Sequence, residues 1–236
     1  MPSSALQLEE LAAAALPRLE HEALAVLLYG SAVEGVANTS SDIDLLAVTR
    51  SVRSLQIIDG GPLPVHVEYI PLSELEETIE NLDWLYRTRL FDIQFTVARL
   101  RRAIVLRDPE GIGRSLVERV QRYRASEDTL TKFHGQARGL YHDAVGAYRA
   151  GRYDHAVLLG RLAAQIMTAH DLLSAGELNV GLKWQHRWAE QHFREAAPER
   201  WKLYRQALGL GEEESEPAAR AALRAAYALI TGRRGP

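Results

Sequence analysis

Two aspartates in this sequence are spaced so that together they could hold a divalent cation. Asp42 and Asp44 open the apolar run SDIDLLAV, which predicts a strand. Side chains two positions apart on a strand leave the same face of a sheet, and carboxylates at that separation can share a hard cation such as Mg2+. Glu68 lies on the polar face of another predicted strand. If the strands pair, these acids predict a metal clamp with a general base beside it.

A glycine and a serine ahead of the aspartates are suited to binding phosphate. Gly30 closes the apolar run ALAVLLYG, and Ser31 follows it. Glycine lets the backbone turn close to a ligand. Free amide groups at the start of a helical turn, together with a hydroxyl, form an anion cradle. The pair therefore predicts a phosphate site at the end of a strand.

Each of these motifs also has a purely structural interpretation. Aspartates are common at strand ends and in turns for local hydrogen-bonding reasons, and a lone Gly-Ser pair is even less specific. The functional prediction rests on the order in which all of these motifs follow one another along the sequence. Three carboxylates brought together without a cation would be costly, because like charges raise one another's pKa.

The elements that must position these residues can be predicted from the hydrophobic pattern. Gly60-Gly61 between two β-type runs predicts a hairpin. Ser73, with a glutamate three positions on, predicts a capping box at the start of a helix. The predicted strands lie at 23–30, 43–48, 54–59, 64–70 and 102–107, and the predicted helices at 4–22, interrupted by Pro17, and at 73–97.

The chain beyond Gly111 is predicted to be helical throughout. The expected helices lie near 112–124, 127–149, 153–175, 183–195, 198–208 and 217–231. A strand-rich half followed by a helix-only half predicts an α+β protein. We expect a small mixed-sheet domain over 1–115 and a helical bundle domain over 116–236. No Pro/Ser linker separates them, so we expect the two domains to pack around a cleft.

Composition limits the classes of function. The chain has 236 residues, of which 47% are hydrophobic and 25% charged, as in ordinary globular proteins. It has no cysteine, which excludes a disulfide framework, a thiolate zinc site and a cysteine nucleophile. His66 alone is no zinc motif. No apolar run reaches the about 20 residues that span a bilayer, and the N-terminus does not resemble a signal peptide. We expect a cytoplasmic protein without membrane contact.

Charge is distributed unequally along the chain. Residues 1–110 carry a net charge of -8 and residues 111–236 one of +5. The basic half either presents solvated helix faces or faces an anionic ligand such as a triphosphate. Its charge is too small and too dispersed for a nucleic-acid groove, so we expect no nucleic-acid partner.

These motifs together resemble a known superfamily. Gly30-Ser31 followed by Asp42-x-Asp44 resembles the signature of the nucleotidyltransferases typified by DNA polymerase beta. The fuller string LLYGSAVEG…SDIDLLAV is similar to bacterial aminoglycoside adenylyltransferases of the streptomycin/spectinomycin type. The resemblance implies transfer of AMP from ATP to a hydroxyl of a small molecule, with release of pyrophosphate. It also implies two Mg2+ ions and a role in antibiotic resistance.

The resemblance further implies roles for individual residues. VHVEYI resembles the strand with the catalytic glutamate, which gives that role to Glu68; it would act with Asp42 and Asp44, and all three would bind metal. GLKW at 181–184 resembles a stretch whose lysine contacts the nucleotide phosphates, here Lys183. Alternatively, Lys183 is a surface lysine beside core tryptophans. The nucleotide-binding residues implied in this way are Gly30, Ser31, Ser41 and Lys183.

Other functions remain compatible with the sequence. One alternative is AMP transfer to a protein, as in the minimal nucleotidyltransferases paired with HEPN toxins. Another is a non-catalytic, nucleotide-binding regulator. The favoured partners are ATP and a small hydroxylated acceptor, for which an aminoglycoside or aminocyclitol is the candidate, bound by a monomer or homodimer. The positive charge of the second half does not favour a polycationic acceptor.

Overall fold

The chain divides into two compact units. The computed structural model describes residues 5–34, 41–59, 61–89, 96–210 and 216–232. The first unit comprises residues 1–82 and 95–123, and the second comprises residues 83–94 and 124–236. Short apolar runs bounded by turns form the strands of the first unit, whereas long amphipathic segments form the helices of the second.

A five-stranded mixed sheet is the centre of the first unit. Its strands are β1 (Ala25–Tyr29), β2 (Ile43–Thr49), β3 (Ser54–Ile58), β4 (Val65–Pro71) and β5 (Ile104–Arg107). They lie in the order β3-β4-β2-β1-β5. β2 and β4 are parallel, and the other neighbouring pairs are antiparallel. β3 and β4 pair antiparallel, as the predicted hairpin requires, while Gly60 lies outside the described residues.

One face of the sheet, here called the core face, is sealed by apolar packing. On β4 it carries Val65, Val67 and Tyr69, and on β2 it carries Ile43 and Leu45. The helix α1 (Ala5–Ala15) and the 3-10 turn Leu16–Arg18 contribute apolar side chains to the same cluster. Because side chains alternate along a strand, the residues between these ones project to the opposite face.

The remaining helices of the first unit are short. They are α2 (Leu72–Glu80), α4 (Thr96–Arg99) and α5 (Ile112–Arg122), with 3-10 turns at Gly30–Ala32 and Leu100–Arg102. α5 passes close to β1, where a Cβ atom on Gly113 would lie 3.0 Å from the Cβ of Ala25.

The continuous helix predicted over 73–97 is wrong. α2 ends at Glu80, and α3 (Leu82–Thr88) follows after Asn81. The Asn81 side chain donates to the Glu77 carbonyl at 2.9 Å, a local bond of the kind that competes with helical continuation. The predicted capping box is not formed either, because the residue before α2 is Pro71 and no side chain caps the helix. Residues 90–95 of the predicted helix lie outside the described part of the chain.

The second unit is built from helices, as predicted. They are α6 (Glu127–Arg149), α7 (Tyr153–Ser174), α8 (Leu182–Phe193), α9 (Pro198–Ala207) and α10 (Glu216–Thr231). Ser126 caps α6 by accepting the Thr129 N–H at 3.3 Å. α7 packs against α10 at Gly160, where an added Cβ atom would be in ordinary van der Waals contact, 3.8 Å from the Cβ of Ala222. None of the described helices is both long and apolar enough to cross a bilayer. The predicted α+β fold class is confirmed.

Candidate active site

Two aspartates and a histidine converge at the end of β2 and β4. The parallel register sets Asp44 beside His66, so both side chains project to the face opposite the core face, here called the site face. Asp42 Oδ2 lies 3.0 Å from His66 Nδ1. One oxygen from each aspartate and one histidine nitrogen lie within 4.8 Å of one another. The three side chains are partly exposed, so a ligand from solvent can reach them.

The turn after β1 lies directly against the Asp44 carboxylate. Gly30 has φ +74°, and a Cβ atom there would lie 2.0 Å from Asp44 Oδ2. Any other residue would displace the carboxylate and would also strain the backbone. Since Tyr29 pairs with Asp44 across β1 and β2, the strand pairing itself brings this turn and the carboxylate together.

Ser31 provides a buried hydroxyl beside that turn. It lies in the 3-10 turn Gly30–Ala32, which the Val33 N–H closes by donating to the Gly30 carbonyl. The Glu34 N–H donates to the same carbonyl at 3.1 Å. Within the described residues, Ser31 Oγ is buried and has no hydrogen-bond partner. Buried polar atoms normally find a partner, so this hydroxyl fits a site completed by a ligand.

The residues present therefore fit a bound divalent cation and a phosphate. Carboxylate oxygens are ligands for hard cations, and the glycine at the turn leaves the Asp44 carboxylate in place. Ser41 directly precedes Asp42 and is half-buried.

Glu68 occupies the same face, one step further along β4. It pairs in register with Leu46 rather than with Asp44. Its Oε2 accepts hydrogen bonds from the hydroxyls of Tyr29 at 3.1 Å and Thr96 at 3.0 Å. Its Oε1 lies 3.5 Å from Arg53 Nη2. In the described part of the chain, Glu68 is not among the residues whose donor atoms cluster with those of Asp42 and Asp44. Its predicted role as a metal ligand therefore stays a prediction.

Tyr29 spans the sheet to reach Glu68 two strands away. Burial raises the pKa of the Tyr29 hydroxyl, and the negative charges of Glu68 and Asp44 raise it further, while the Arg99 guanidinium opposes them. The Arg99 Cζ lies 5.8 Å from the centre of the phenol ring. The hydroxyl consequently stays protonated and donates to the Glu68 carboxylate.

Lys183 belongs to the second unit. It lies in the first turn of α8 and is exposed, with its Nζ 5.2 Å from the centre of the Trp184 ring. Trp184 and Trp188 are buried, in agreement with their predicted place in the core. The predicted contact of Lys183 with nucleotide phosphates stays a prediction.

Several residues of this site had only a weak signal in the sequence or none. The alternation in VHVEYI already puts His66 and Glu68 on one face. Thr96 follows Glu68 by 28 positions and belongs to no motif. Only the folded chain brings its hydroxyl to the Glu68 carboxylate.

Comparison with protein-family models gave no match. Comparison with curated protein sequences gave none either. Among solved structures, the chain is similar to the crystal structure of a nucleotidyltransferase-like protein from Exiguobacterium sibiricum 255-15, with a TM-score of 0.52. The chain has a nucleotidyltransferase-like fold. The alignment covers 97% of this chain and 74% of the other, at 16% sequence identity. The similarity therefore concerns the fold, and the chemistry must be argued from the site.

Proposed function

We propose that this protein is a metal-dependent nucleotidyltransferase that transfers AMP from ATP to a hydroxyl group and releases pyrophosphate. The observation that carries the proposal is the cluster of Asp42, Asp44 and His66 beside the Gly30-Ser31 turn. A nucleotidyltransferase-like fold supports it. The choice of AMP and ATP rests on the resemblance of the sequence motifs.

The reaction exchanges one bond at the α-phosphorus for another. The acceptor oxygen forms a bond to that phosphorus, the bond to the pyrophosphate oxygen breaks, and the acceptor proton passes to a base. Such transfers depend chiefly on positioning and on neutralising phosphate charge, and a bound divalent cation supplies that neutralisation. Asp42 and Asp44 would hold the cation, and Ser31 Oγ with the adjacent backbone would bind phosphate oxygens.

Glu68 is the proposed general base, and its surroundings indicate which oxygen takes the proton. Oε2 already accepts two hydrogen bonds, from Tyr29 and Thr96, and an oxygen of this kind has two lone pairs. Oε1 is therefore the proton-accepting atom. Arg53 lies beside it at 3.5 Å, is about half exposed and also pairs with Glu74. Its guanidinium can move aside when the acceptor hydroxyl enters.

The acceptor would meet an apolar surface next to this base. Leu55 and Ile57 of the edge strand β3 are 65% and 54% exposed. They pair in register with Glu68 and His66, so all four side chains share the site face. An aminoglycoside or aminocyclitol has little apolar surface to cover these residues. This observation favours a second candidate acceptor, the hydroxyl of a protein side chain flanked by apolar residues.

The test supplies both acceptor classes to the same enzyme. The chain is incubated with ATP labelled at the α-phosphate and with Mg2+ or Mn2+, either with a pool of aminoglycosides and aminocyclitols or with peptides carrying Ser, Thr or Tyr between apolar residues. We expect pyrophosphate release and label on one acceptor class. Binding of the nucleotide without transfer to either class would support a regulator instead.

A matched variant separates the two acceptor classes. Replacing Leu55 and Ile57 with serine leaves the proposed metal ligands and base in place. Transfer to an apolar peptide should fall in this variant, while transfer to an aminocyclitol should be unchanged. An equal loss for both classes would remove the apolar surface from acceptor recognition.

A further inference from the structure

The third donor atom near the two aspartates is a nitrogen. His66 Nδ1 lies 3.0 Å from Asp42 Oδ2 and within 4.8 Å of an Asp44 oxygen. The register between β2 and β4 determines this arrangement, because it pairs Asp44 with His66. His66 is 37% exposed, so burial does not account for its place beside two carboxylates.

The distance between two of these ligand atoms suits a common metal ion. Ligand atoms at adjacent corners of an octahedron are separated by about 3 Å when the bonds to the ion are about 2.1 Å long. The distance from His66 Nδ1 to Asp42 Oδ2 has this value. The same distance also suits a hydrogen bond between the two side chains, so the experiment must distinguish an ion ligand from an ion pair.

A nitrogen ligand changes which metal ion the site binds most tightly. Mg2+ binds oxygen ligands and gives up its water reluctantly, whereas imidazole suits first-row transition metals. We propose that His66 completes a metal site with Asp42 and Asp44, and that this site binds a divalent transition-metal ion, represented by Mn2+, more tightly than Mg2+. The inference deepens the proposed function and rests on it, because the ion would serve the same phosphate site.

Three protein ligands leave coordination positions of the metal ion open for substrate. An octahedral ion with three protein ligands keeps about three positions for water or phosphate oxygens. The partial exposure of Asp42 and His66, 39% and 37%, leaves the cluster open to solvent. The arrangement is thus that of a site that accepts a ligand rather than a closed structural site.

The test uses Mn2+ alone with the free chain, purified without a histidine tag. Continuous-wave electron paramagnetic resonance measures how much Mn2+ is bound, and its pulsed form detects a nitrogen bonded directly to the ion. We expect bound Mn2+ with strong nitrogen coupling, and an affinity for Mn2+ at least about tenfold above that for competing Mg2+.

Two histidine variants provide the comparison. His66→Asn should abolish the nitrogen coupling and weaken Mn2+ binding at least about tenfold, while Mg2+ binding changes by less than about threefold. His21→Asn is the matched control, because His21 packs on Tyr69 of the core face, with ring centres 4.9 Å apart. It should keep both the coupling and the affinity. Thermal melting establishes that both variants are folded.

The outcomes separate this inference from the proposed reaction. Bound Mn2+ without nitrogen coupling, coupling that survives in His66→Asn, or a preference for Mg2+ would each overturn the role of His66. An enzyme with any of these results that still released pyrophosphate would retain the proposed function. Nitrogen coupling in a chain that transfers no nucleotide would support the role of His66 as a metal ligand and contradict the proposed function.

Discussion

The two faces of the sheet in the first unit have different roles, although the same strands form both of them. Along β4, Val65 and Val67 project to the core face, while His66 and Glu68 project to the site face. On β2, Leu45 is fully buried in the core, and its neighbour Asp44 belongs to the candidate metal site. The comparison teaches that adjacent residues can be changed to test stability and chemistry separately, because their side chains leave opposite faces.

The difference in exposure has an electrostatic reason. Val67 and Leu45 are 0% exposed, whereas the Glu68 side chain is 26% exposed and is surrounded by hydroxyls and a guanidinium. Burying a charge without partners is expensive. The site face therefore keeps its charged groups near solvent and hydrogen-bonded, whereas the core-face residues Val67 and Leu45 are apolar.

The largest effect is expected from Asp44→Asn. The variant keeps the shape of the side chain and removes one proposed ligand charge, so pyrophosphate release should fall to background and Mn2+ binding should be lost. Without metal, the melting temperature should equal or exceed that of the unmodified chain, because repulsion from Asp42 is relieved. A variant that failed to fold would instead give Asp44 a structural role.

The next largest effect is expected from Glu68→Gln. Loss of a general base lowers turnover by about 10²–10⁴-fold, while the affinity for ATP should be kept. Rates of pyrophosphate release as a function of ATP concentration separate kcat from KM. Thr96→Val removes one of the two hydroxyls that bind Glu68 Oε2 and should lower kcat less. Unaltered turnover in the glutamine variant would remove Glu68 from the mechanism.

On the core face, Leu45→Ala should change stability and leave binding intact. Truncating a fully buried leucine costs about 2–5 kcal/mol of the free energy of unfolding. Denaturant titration measures that loss, and Mn2+ binding at a temperature where the variant is folded should match the unmodified chain. Impaired Mn2+ binding by the folded variant would show that the two faces are coupled through β2.

The smallest effect is expected on the free energy of unfolding at high pH, where two tyrosines on opposite faces ionise. Burial raises the pKa of Tyr69 on the core face and of Tyr29 on the site face, where the charges of Glu68 and Asp44 add to it. The unfolded phenols ionise near the ordinary tyrosine pKa of 10.0, while the folded ones stay neutral. The free energy of unfolding must therefore fall as the pH rises above about 10.

Three variants sharpen this comparison. Denaturant titrations between about pH 9 and pH 11 should show a shallower loss of stability for Tyr29→Phe and for Tyr69→Phe. Glu68→Gln should lower the pKa of Tyr29 and leave that of Tyr69 unchanged, as read from tyrosinate absorbance. A shift of Tyr69 in that variant would contradict the separation of the two faces.

Regular elements with strong periodicity could be predicted well. The helix expected over 127–149 is α6 with those limits, and the strand expected over 43–48 is β2 with one further residue. The helix expected over 73–97 failed at Asn81, whose side chain donates to the Glu77 carbonyl together with its backbone N–H. Such local competition is decided by geometry that a hydrophobic pattern does not contain.

The candidate site could be predicted only in part, because some of its residues are close in sequence and others come from distant elements. Gly30 with Ser31, and Asp42 with Asp44, are close in sequence, and sequence patterns record such short spacings. The pairing of β1 with β2 then brings the two pairs together. The hydroxyl of Thr96 and the guanidinium of Arg53 reach Glu68 from other elements. No pattern in one strand specifies which distant side chain will lie beside it. The predicted domain limits and the role of Lys183 stay predictions.

The amino-acid sequence by itself determined that His66 and Glu68 share a face of β4, because side chains alternate along a strand. It predicted the same of Asp44, in β2, and of Asp42, which lies one residue before β2. Only the tertiary structure decided that His66, and not Glu68, lies beside Asp44. A shift of two residues between β2 and β4 would keep every apolar side chain on the core face and exchange these two neighbours. The hydrophobic pattern is the same in both registers, and packing of the whole unit selects between them.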